Sequence, residues 1–308
     1  MSSKKYFFSG LMSYVIWGFV PIFLKKLQGF DDYEIIFYRI LLAALAMTGV
    51  AILLWGETSQ AIGGLYRRSK KDFLHMLILT SIGGGLLATN WVTYVYVVNH
   101  VSINAASFSY LILPIATAFL ALILLKEKLN AMRWAAVAMS GVSCYLMANV
   151  DARQMAYIAA ITLSYSFYLI TQRKNTYMPR RTNLALQMIV GTALLLTMDP
   201  IHTAPIDLPM HFWINVTIIA VVFTVTPLLL NLYALNGMGS SQLAFLIYIN
   251  PIISFVTAIV WYGEDLNELA VISYSLLAVA ILLFNWEIIV KAAEKTGLRA
   301  ATKTITAE

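Results

Sequence analysis

A shift of 137 positions carries residues 90–130 onto a second stretch of the same chain without a gap. Tyr96 falls on Tyr233, Asn99 on Asn236, Phe108 on Phe245, Ile112 on Ile249, Pro114 on Pro251, Ile115 on Ile252 and Ala121 on Ala258. Past the apolar run, Glu127-Lys128-Leu129-Asn130 lies over Glu264-Asp265-Leu266-Asn267. Two apolar helices share leucines and alanines by chance. They do not by chance share a mid-helix proline followed at fixed spacing by a glutamate and a Leu-Asn pair. The chain therefore reads as two copies of one unit.

Composition says what kind of unit. Of 308 residues, 60% are hydrophobic and only 12% charged, and the mean hydropathy is +0.76. Soluble domains are far more polar, so the chain belongs to the membrane class. A helix needs about 20 apolar residues to cross a bilayer core. Ten such stretches can be drawn, at 6–25, 33–55, 73–97, 102–125, 130–149, 154–173, 182–199, 211–236, 240–262 and 267–290. The expectation is an all-α integral membrane protein with ten transmembrane helices. It divides into a first repeat at 1–150, a second at 151–290 and a basic cytoplasmic tail at 291–308. The N-terminus, Met1 to Lys5, is short and basic, lacks a small-residue cleavage site and reads as the start of an uncleaved first helix.

Charge sets the orientation. With the N-terminus inside, 16 of the 21 Lys/Arg residues fall on the inner side, three on the outer side (Lys25, Lys26, Arg153) and two, Arg39 and Arg133, within spans. Basic loops stay cytoplasmic, so both ends are expected inside. Five helices per repeat is an odd number, and the second copy must enter the membrane from the opposite face. The paired loops agree, because Lys126-Glu127-Lys128 is basic and inner while Gly263-Glu264-Asp265 is acidic and outer. Inverted repeats are the architecture of alternating-access carriers. The net charge of +6 is scattered through short loops rather than gathered on one face, which argues against nucleic acid.

Ionisable groups inside a span are costly and point inward. Arg39 is the outstanding one, six residues into the second span at a depth of about 9 Å. It is suited to bind a carboxylate or other anion, or else to cap carbonyls of a neighbouring helix. Polar and aromatic residues of other spans form a second layer of candidates: Tyr14, Trp17, Asn90, Trp91, Tyr94, Tyr110, Tyr165, Tyr168, Asn231, Tyr248 and Asn250. Aromatics at mid-depth offer flat contact area with a polar handle, which suits a small amphipathic solute; interhelical packing is the competing role. Pro114 and Pro251 remove a backbone donor at equivalent positions and are expected to act as paired hinges, or to set a static kink. Gly83-Gly84-Gly85 lacks the strand and the Lys-Ser/Thr of a phosphate loop and reads as a close helix contact or a kink.

No metal spacing emerges from His75, His100, His202 and His211, and the lone Cys144 excludes an intrachain disulfide. There is no Walker A sequence, no HExxH and no nucleophile elbow. The expectation is a non-enzyme without cofactor or metal.

Several of these residues together resemble one family. Trp17-Gly18 with Pro21 and Lys25, Arg39, Asn90-Trp91 with Val98-Asn99, and the two proline-to-glutamate blocks are similar to the drug/metabolite transporter superfamily, in its EamA-domain branch. Within it, Tyr248-Ile249-Asn250-Pro251 ending in Tyr262-Gly263-Glu264 looks most like the RarD group, the chloramphenicol-sensitive proteins. The resemblance implies two five-helix units and export or exchange of amino acids, metabolites or drug-like compounds across a bacterial inner membrane. The partners it implies are a small solute and membrane lipids, with monomer and homodimer both open. The rival from another class is a membrane-embedded enzyme acting on lipids or their headgroups through Arg39 and Glu34.

Overall fold

The computed structural model describes residues 2–27, 29–53, 55–100, 103–147, 152–198, 207–250, 252–253, 256, 260, 268–287 and 289–290. Their regular structure is helical: α1 (Ser2–Gly18), α2 (Val20–Lys25), α3 (Asp32–Leu53), α4 (Trp55–Arg68), α5 (Lys70–His100), α6 (Ile103–Leu124) and α7 (Ala131–Met147). There follow α8 (Ala152–Lys174), α9 (Arg180–Met198), α10 (Met210–Ala220), a π-turn at Val221–Val225, α11 (Thr226–Ala234), α12 (Ser240–Phe245), a 3₁₀ turn at Leu246–Tyr248 and α13 (Glu268–Phe284). Four stretches are long and apolar enough to cross a membrane: Lys4–Leu24, Tyr33–Val50, Lys70–Tyr94 and Met210–Ala234. Phe108–Leu124 and Val271–Phe284 are shorter apolar helices. Apolar side chains also cover much of the outer surface, with Leu53, Ile123 and Val260 widely exposed, as a lipid-facing surface requires.

Three departures from the sequence reading have local causes. The first span breaks after Gly18, where Phe19 caps a new helix and Pro21 occupies its first turn; proline has no N–H to continue the ladder. The stretch after the second span is itself helical. α4 carries Trp55, Leu65 and Tyr66 together with Arg67 and Arg68, the composition of a helix lying in an interface rather than crossing it. The eighth span holds the π-turn, where Thr224 Oγ1 bonds the Ile219 carbonyl at 2.8 Å and Thr226 Oγ1 bonds Val221 at 2.9 Å. Those hydroxyls satisfy carbonyls that the widened turn frees. Pro251 and the tail 291–308 lie outside the described residues.

The 137-residue shift reappears in the coordinates. It carries Ala131 to Glu268 and Met147 to Phe284, which are the two ends of α7 and of α13, and it carries the start of α6 at Ile103 to the start of α12 at Ser240. Packing follows the same exchange. α1 lies on α11 and α8 lies on α5; α5 lies on α9 and α10 lies on α3; α3 with α9, α6 with α12 and α7 with α13 pair across the middle. The core between them buries Tyr14, Tyr165, Tyr168, Phe245 and Tyr248.

Two contacts tie distant parts of the chain together. The Glu127 carboxylate accepts from Ser240 N–H at 2.7 Å, Ser241 N–H at 3.3 Å and Ser241 Oγ–H at 2.8 Å, capping α12 from the far side of the sequence. Arg133, half-buried on α7, pairs with Glu287 at 3.2 Å, and Asn130 Nδ2 donates to the same carboxylate at 2.7 Å.

Candidate solute-binding site

Arg39 stands on α3 among apolar neighbours. Its Nε–H donates to Thr224 Oγ1 at 2.8 Å, and its guanidinium lies 5.3 Å from the Trp91 ring. Thr224 points at Arg39 because the π-turn advances the register of that span, so the local break builds the contact. A small cleft of about 20 Å³, room for about one water, lies beside it, lined by Ile36, Arg39, Ile40, Trp91 and Tyr94. Tyr94 meets Tyr110 edge-on at 5.2 Å, and Tyr110 in turn lies within electrostatic reach of both Arg39 and Tyr14. The guanidinium uses one N–H on Thr224, and a guanidinium carries five. A carboxylate in the cleft would find donors together with flat apolar walls.

A second group lies on α1 and α8. Tyr14 and Trp17 on α1 lie 5.4 Å apart, Trp17 meets Tyr165 on α8 at 6.4 Å, and Tyr165 meets Tyr168 at 5.6 Å. Trp17 Nε1–H donates to the Phe223 carbonyl at 2.9 Å, again at the π-turn. Among the described residues the hydroxyls of Tyr14, Tyr165 and Tyr168 are buried with no hydrogen-bond partner of ordinary geometry, and Tyr14 faces Asn231 and Tyr165. Buried hydroxyls are costly to leave unmatched. Their convergence in one aromatic group marks a place where a polar solute would be stabilised.

The other candidates are placed differently. Asn90 Nδ2 donates to the Ile161 carbonyl at 2.9 Å and to Ser164 Oγ at 3.3 Å, tying α5 to α8. Asn231 Nδ2 reaches Ser13 Oγ at 3.5 Å and ties α11 to α1. Tyr248 is fully buried, donates to the Leu111 carbonyl at 2.9 Å and packs on Phe245, so it joins α6 to the 3₁₀ turn rather than to the aromatic group. Asn250 is half-buried, with its Oδ1 unpartnered among the described residues. Pro114 is buried inside α6.

Sequence reasoning missed Thr224, whose role needs the π-turn. It also missed a fully buried amide group between α8 and α9, formed by Gln172 and Asn175 on and after α8 with Asn183 and Gln187 on α9. A signal was present. Ser13-Tyr14 followed by Trp17 and Ser164-Tyr165 followed by Tyr168 have the same spacing in the two halves, so the aromatic group is built from matching positions of α1 and α8. Just before the apolar part of α9, Arg180 donates to the Gln172 carbonyl and, at 3.2 Å, to Asn236 Oδ1. Burial first, then the neighbouring Arg173, holds its guanidinium below the usual arginine range, with Tyr168 opposing.

The fold and these inward-facing groups define a helical, multi-pass membrane protein. The chain belongs to the EamA-like transporter family, which it matches twice, over residues 4–149 and 153–286. It is 29% identical over 280 residues to the uncharacterized transporter YojE of Bacillus subtilis, covering 89% of this chain and 91% of that protein. An uncharacterized transporter of Pseudomonas aeruginosa is 28% identical over 286 residues, covering 90% of this chain and 92% of the relative. Protein RarD of Salmonella typhimurium is 28% identical over 283 residues, with 89% and 92% covered. One crystal structure shares the fold at a TM-score of 0.73 over 94% of this chain and 99% of that chain, with 12% identity.

Proposed function

We propose that this chain is a secondary transporter of the bacterial inner membrane. It exports or exchanges a small organic solute, an amino acid, metabolite or amphipathic drug-like compound, by alternating access. The working unit is two oppositely oriented five-helix halves, 1–150 and 151–290, with both termini cytoplasmic and the tail 291–308 basic. The observation that carries this reading is the exchange pattern of the helix pairs, together with an aromatic group drawn from matching positions of α1 and α8. A site built alike from both halves presents similar walls to either face when the halves swap conformations. The two successive family matches and the transporter names of the relatives support it.

In this scheme Arg39 orients an acidic group of the solute, and Trp91, Tyr94, Tyr110, Tyr14, Trp17, Tyr165 and Tyr168 cover its apolar part. Pro114 lets α6 bend, and Pro251 does the same for its counterpart. The spans carry no buried carboxylate at mid-depth, which favours exchange or facilitated movement over proton coupling through Asp or Glu.

The test is transport by purified protein in liposomes, with the solute chosen from a thermal-shift screen of amino acids, nucleosides, organic acids and amphipathic drugs. A ligand at 100 times its Kd adds about 2.7 kcal/mol of stability. Movement of the stabilising solute down its gradient, lost in Arg39→Gln with the fold intact, supports the proposal. Covalent turnover of a lipid headgroup without solute movement refutes it in favour of an enzyme.

A further inference from the structure

The buried amide group between α8 and α9 has a counterpart at Arg39. α3 and α9 superimpose in sequence at a shift of 148 positions, which pairs Ile36 with Leu184, Ile40 with Met188, Ala44 with Thr192 and Met47 with Leu195. All eight of these are buried. The same shift places Gln187 on Arg39. The surroundings correspond as well. Arg39 packs against the π-turn at Val221–Val225, and Gln187 packs against Gly83 and Gly84. Shifted by 137 positions, Gly84 falls on Val221, the first residue of that turn. Each half thus sets a polar side chain of its second long helix against an irregular or glycine-rich stretch of a helix from the other half.

The two differ in what is satisfied. Arg39 has Thr224 and the Trp91 ring. Gln187 is wholly buried, and among the described residues both its Nε2 and its Oε1 lack a hydrogen-bond partner, as does Nε2 of the equally buried Gln172. The two Nε2 groups converge. A Cβ built on Gly83 would stand 2.4 Å from one and 2.9 Å from the other. An unmatched buried amide is costly, so a fixed core would not keep two of them beside Gly83 without a further role. Gln172 is itself anchored, because its Oε1 accepts from Asn183 Nδ2 at 2.9 Å and its backbone carbonyl accepts from Arg180. Asn183 in turn accepts from Thr80 and Asn175 at 2.8 and 3.0 Å. Two free amide nitrogens, each with two N–H donors, thus lie beside the Thr80, Asn175 and Asn183 network and next to a guanidinium.

We propose that Gln172 and Gln187 form a second, inner polar station on the solute path, which takes a carboxylate or similar anionic oxygen when the passage faces the cytoplasm. The proposal rests on the transporter reading above and assigns residues to its inner half. Convergent N–H donors fit an acceptor oxygen, and Arg173 and Arg180 bias the site toward negative charge. Gly83 leaves the room that a side chain would fill. Arg39 holds the acidic group on the outer side and the amide pair receives it on the inner side. An uncharged pair there binds more weakly than a second arginine would and lets the solute leave.

Small charged thiol reagents test this without knowledge of the solute. In a Cys144→Ala background, Gln187→Cys and, separately, Gln172→Cys are reconstituted in vesicles. Each is exposed from either face to the anionic sulfonatoethyl and the cationic trimethylammonioethyl methanethiosulfonate. Rates are divided by those with a free thiol. The expected result is modification from the cytoplasmic face only, with the anionic reagent favoured by about tenfold or more, the low end of electrostatic enrichment. Leu184→Cys, one turn away and apolar, should stay inert. Gly83→Ala should slow the anionic reagent at Gln187→Cys. Arg39→Cys reports the passage itself from the outer face. If it reacts while both amide positions are inert in monodisperse protein, the inner station is refuted and the passage stands. If all three are inert, both readings fall. Equal or faster reaction with the cationic reagent refutes the anion preference.

Discussion

Replacing Glu127 tests whether a glutamate of the first half holds the second half in place. Its carboxylate accepts three hydrogen bonds at the start of α12, from Ser240 N–H, Ser241 N–H and Ser241 Oγ–H, at 2.7, 3.3 and 2.8 Å. A hydrogen bond to a charged group contributes about 1.5–3 kcal/mol, and a helix N-cap about 0.5–2 kcal/mol. Glu127 is only half-buried, so screening places the whole contact at about 2–3 kcal/mol. Glu127→Ala should therefore lower Tm in detergent by roughly 3–6 °C, and Glu127→Gln, which keeps one acceptor oxygen, by about half as much. Gly239 sharpens the test. Its backbone is ordinary, with φ −69° and ψ 157°, but an added Cβ would stand 2.7 Å from Glu127 Oε2. Gly239→Ala should destabilise the parent by pushing the carboxylate off its donors. In Glu127→Ala the obstruction is gone, and the same change should stabilise by about 0.4–1 kcal/mol through the unfolded chain. The sign of one substitution thus reverses between two backgrounds, read by thermal unfolding of all four proteins. A Glu127→Ala protein as stable as the parent, or Gly239 effects that simply add, would refute the cap.

The glycines of α5 should separate sharply in thermal unfolding. Gly84→Ala puts a Cβ 2.8 Å from the Gln187 carbonyl oxygen, which is backbone, and should cost about 1–3 kcal/mol, whereas Gly85→Ala meets only Leu194 at 3.7 Å and should gain about 0.5–1 kcal/mol. Glu287→Ala should cost under about 1 kcal/mol by the same measurement, because its partner Arg133 is reached at a half-exposed carboxylate. Thr224→Val removes the acceptor of Arg39 Nε–H; it should weaken solute stabilisation in the thermal-shift screen about as much as it lowers Tm of the free protein. An unaltered response to the solute would separate Thr224 from the site.

Much of the architecture was legible because membrane helices announce themselves locally. Apolar length, the 137-residue shift and the matching ends of α7 and α13 need no knowledge of contacts. The close packing of Gly83 and Gly84 was legible too, since only small residues admit a neighbouring backbone. The break at Gly18, the helix at Trp55–Arg68 and the π-turn were not, because hydropathy averaged over a span hides a single lost or added backbone bond. Tyr248 looked like a lining residue by type and depth, yet its hydroxyl is spent on the Leu111 carbonyl.

The linear chain by itself settled that this is a duplicated helical membrane protein with a solitary arginine deep in its second span, since repetition and apolarity are properties of residue order. Only the folded arrangement decided that Arg39 leans on Thr224, that Glu127 caps α12 and that Gln172 and Gln187 meet over Gly83. Each of these joins elements far apart along the chain. A hydrogen bond depends on a few tenths of an ångström and on direction, and neither is written in the spacing of letters along one helix.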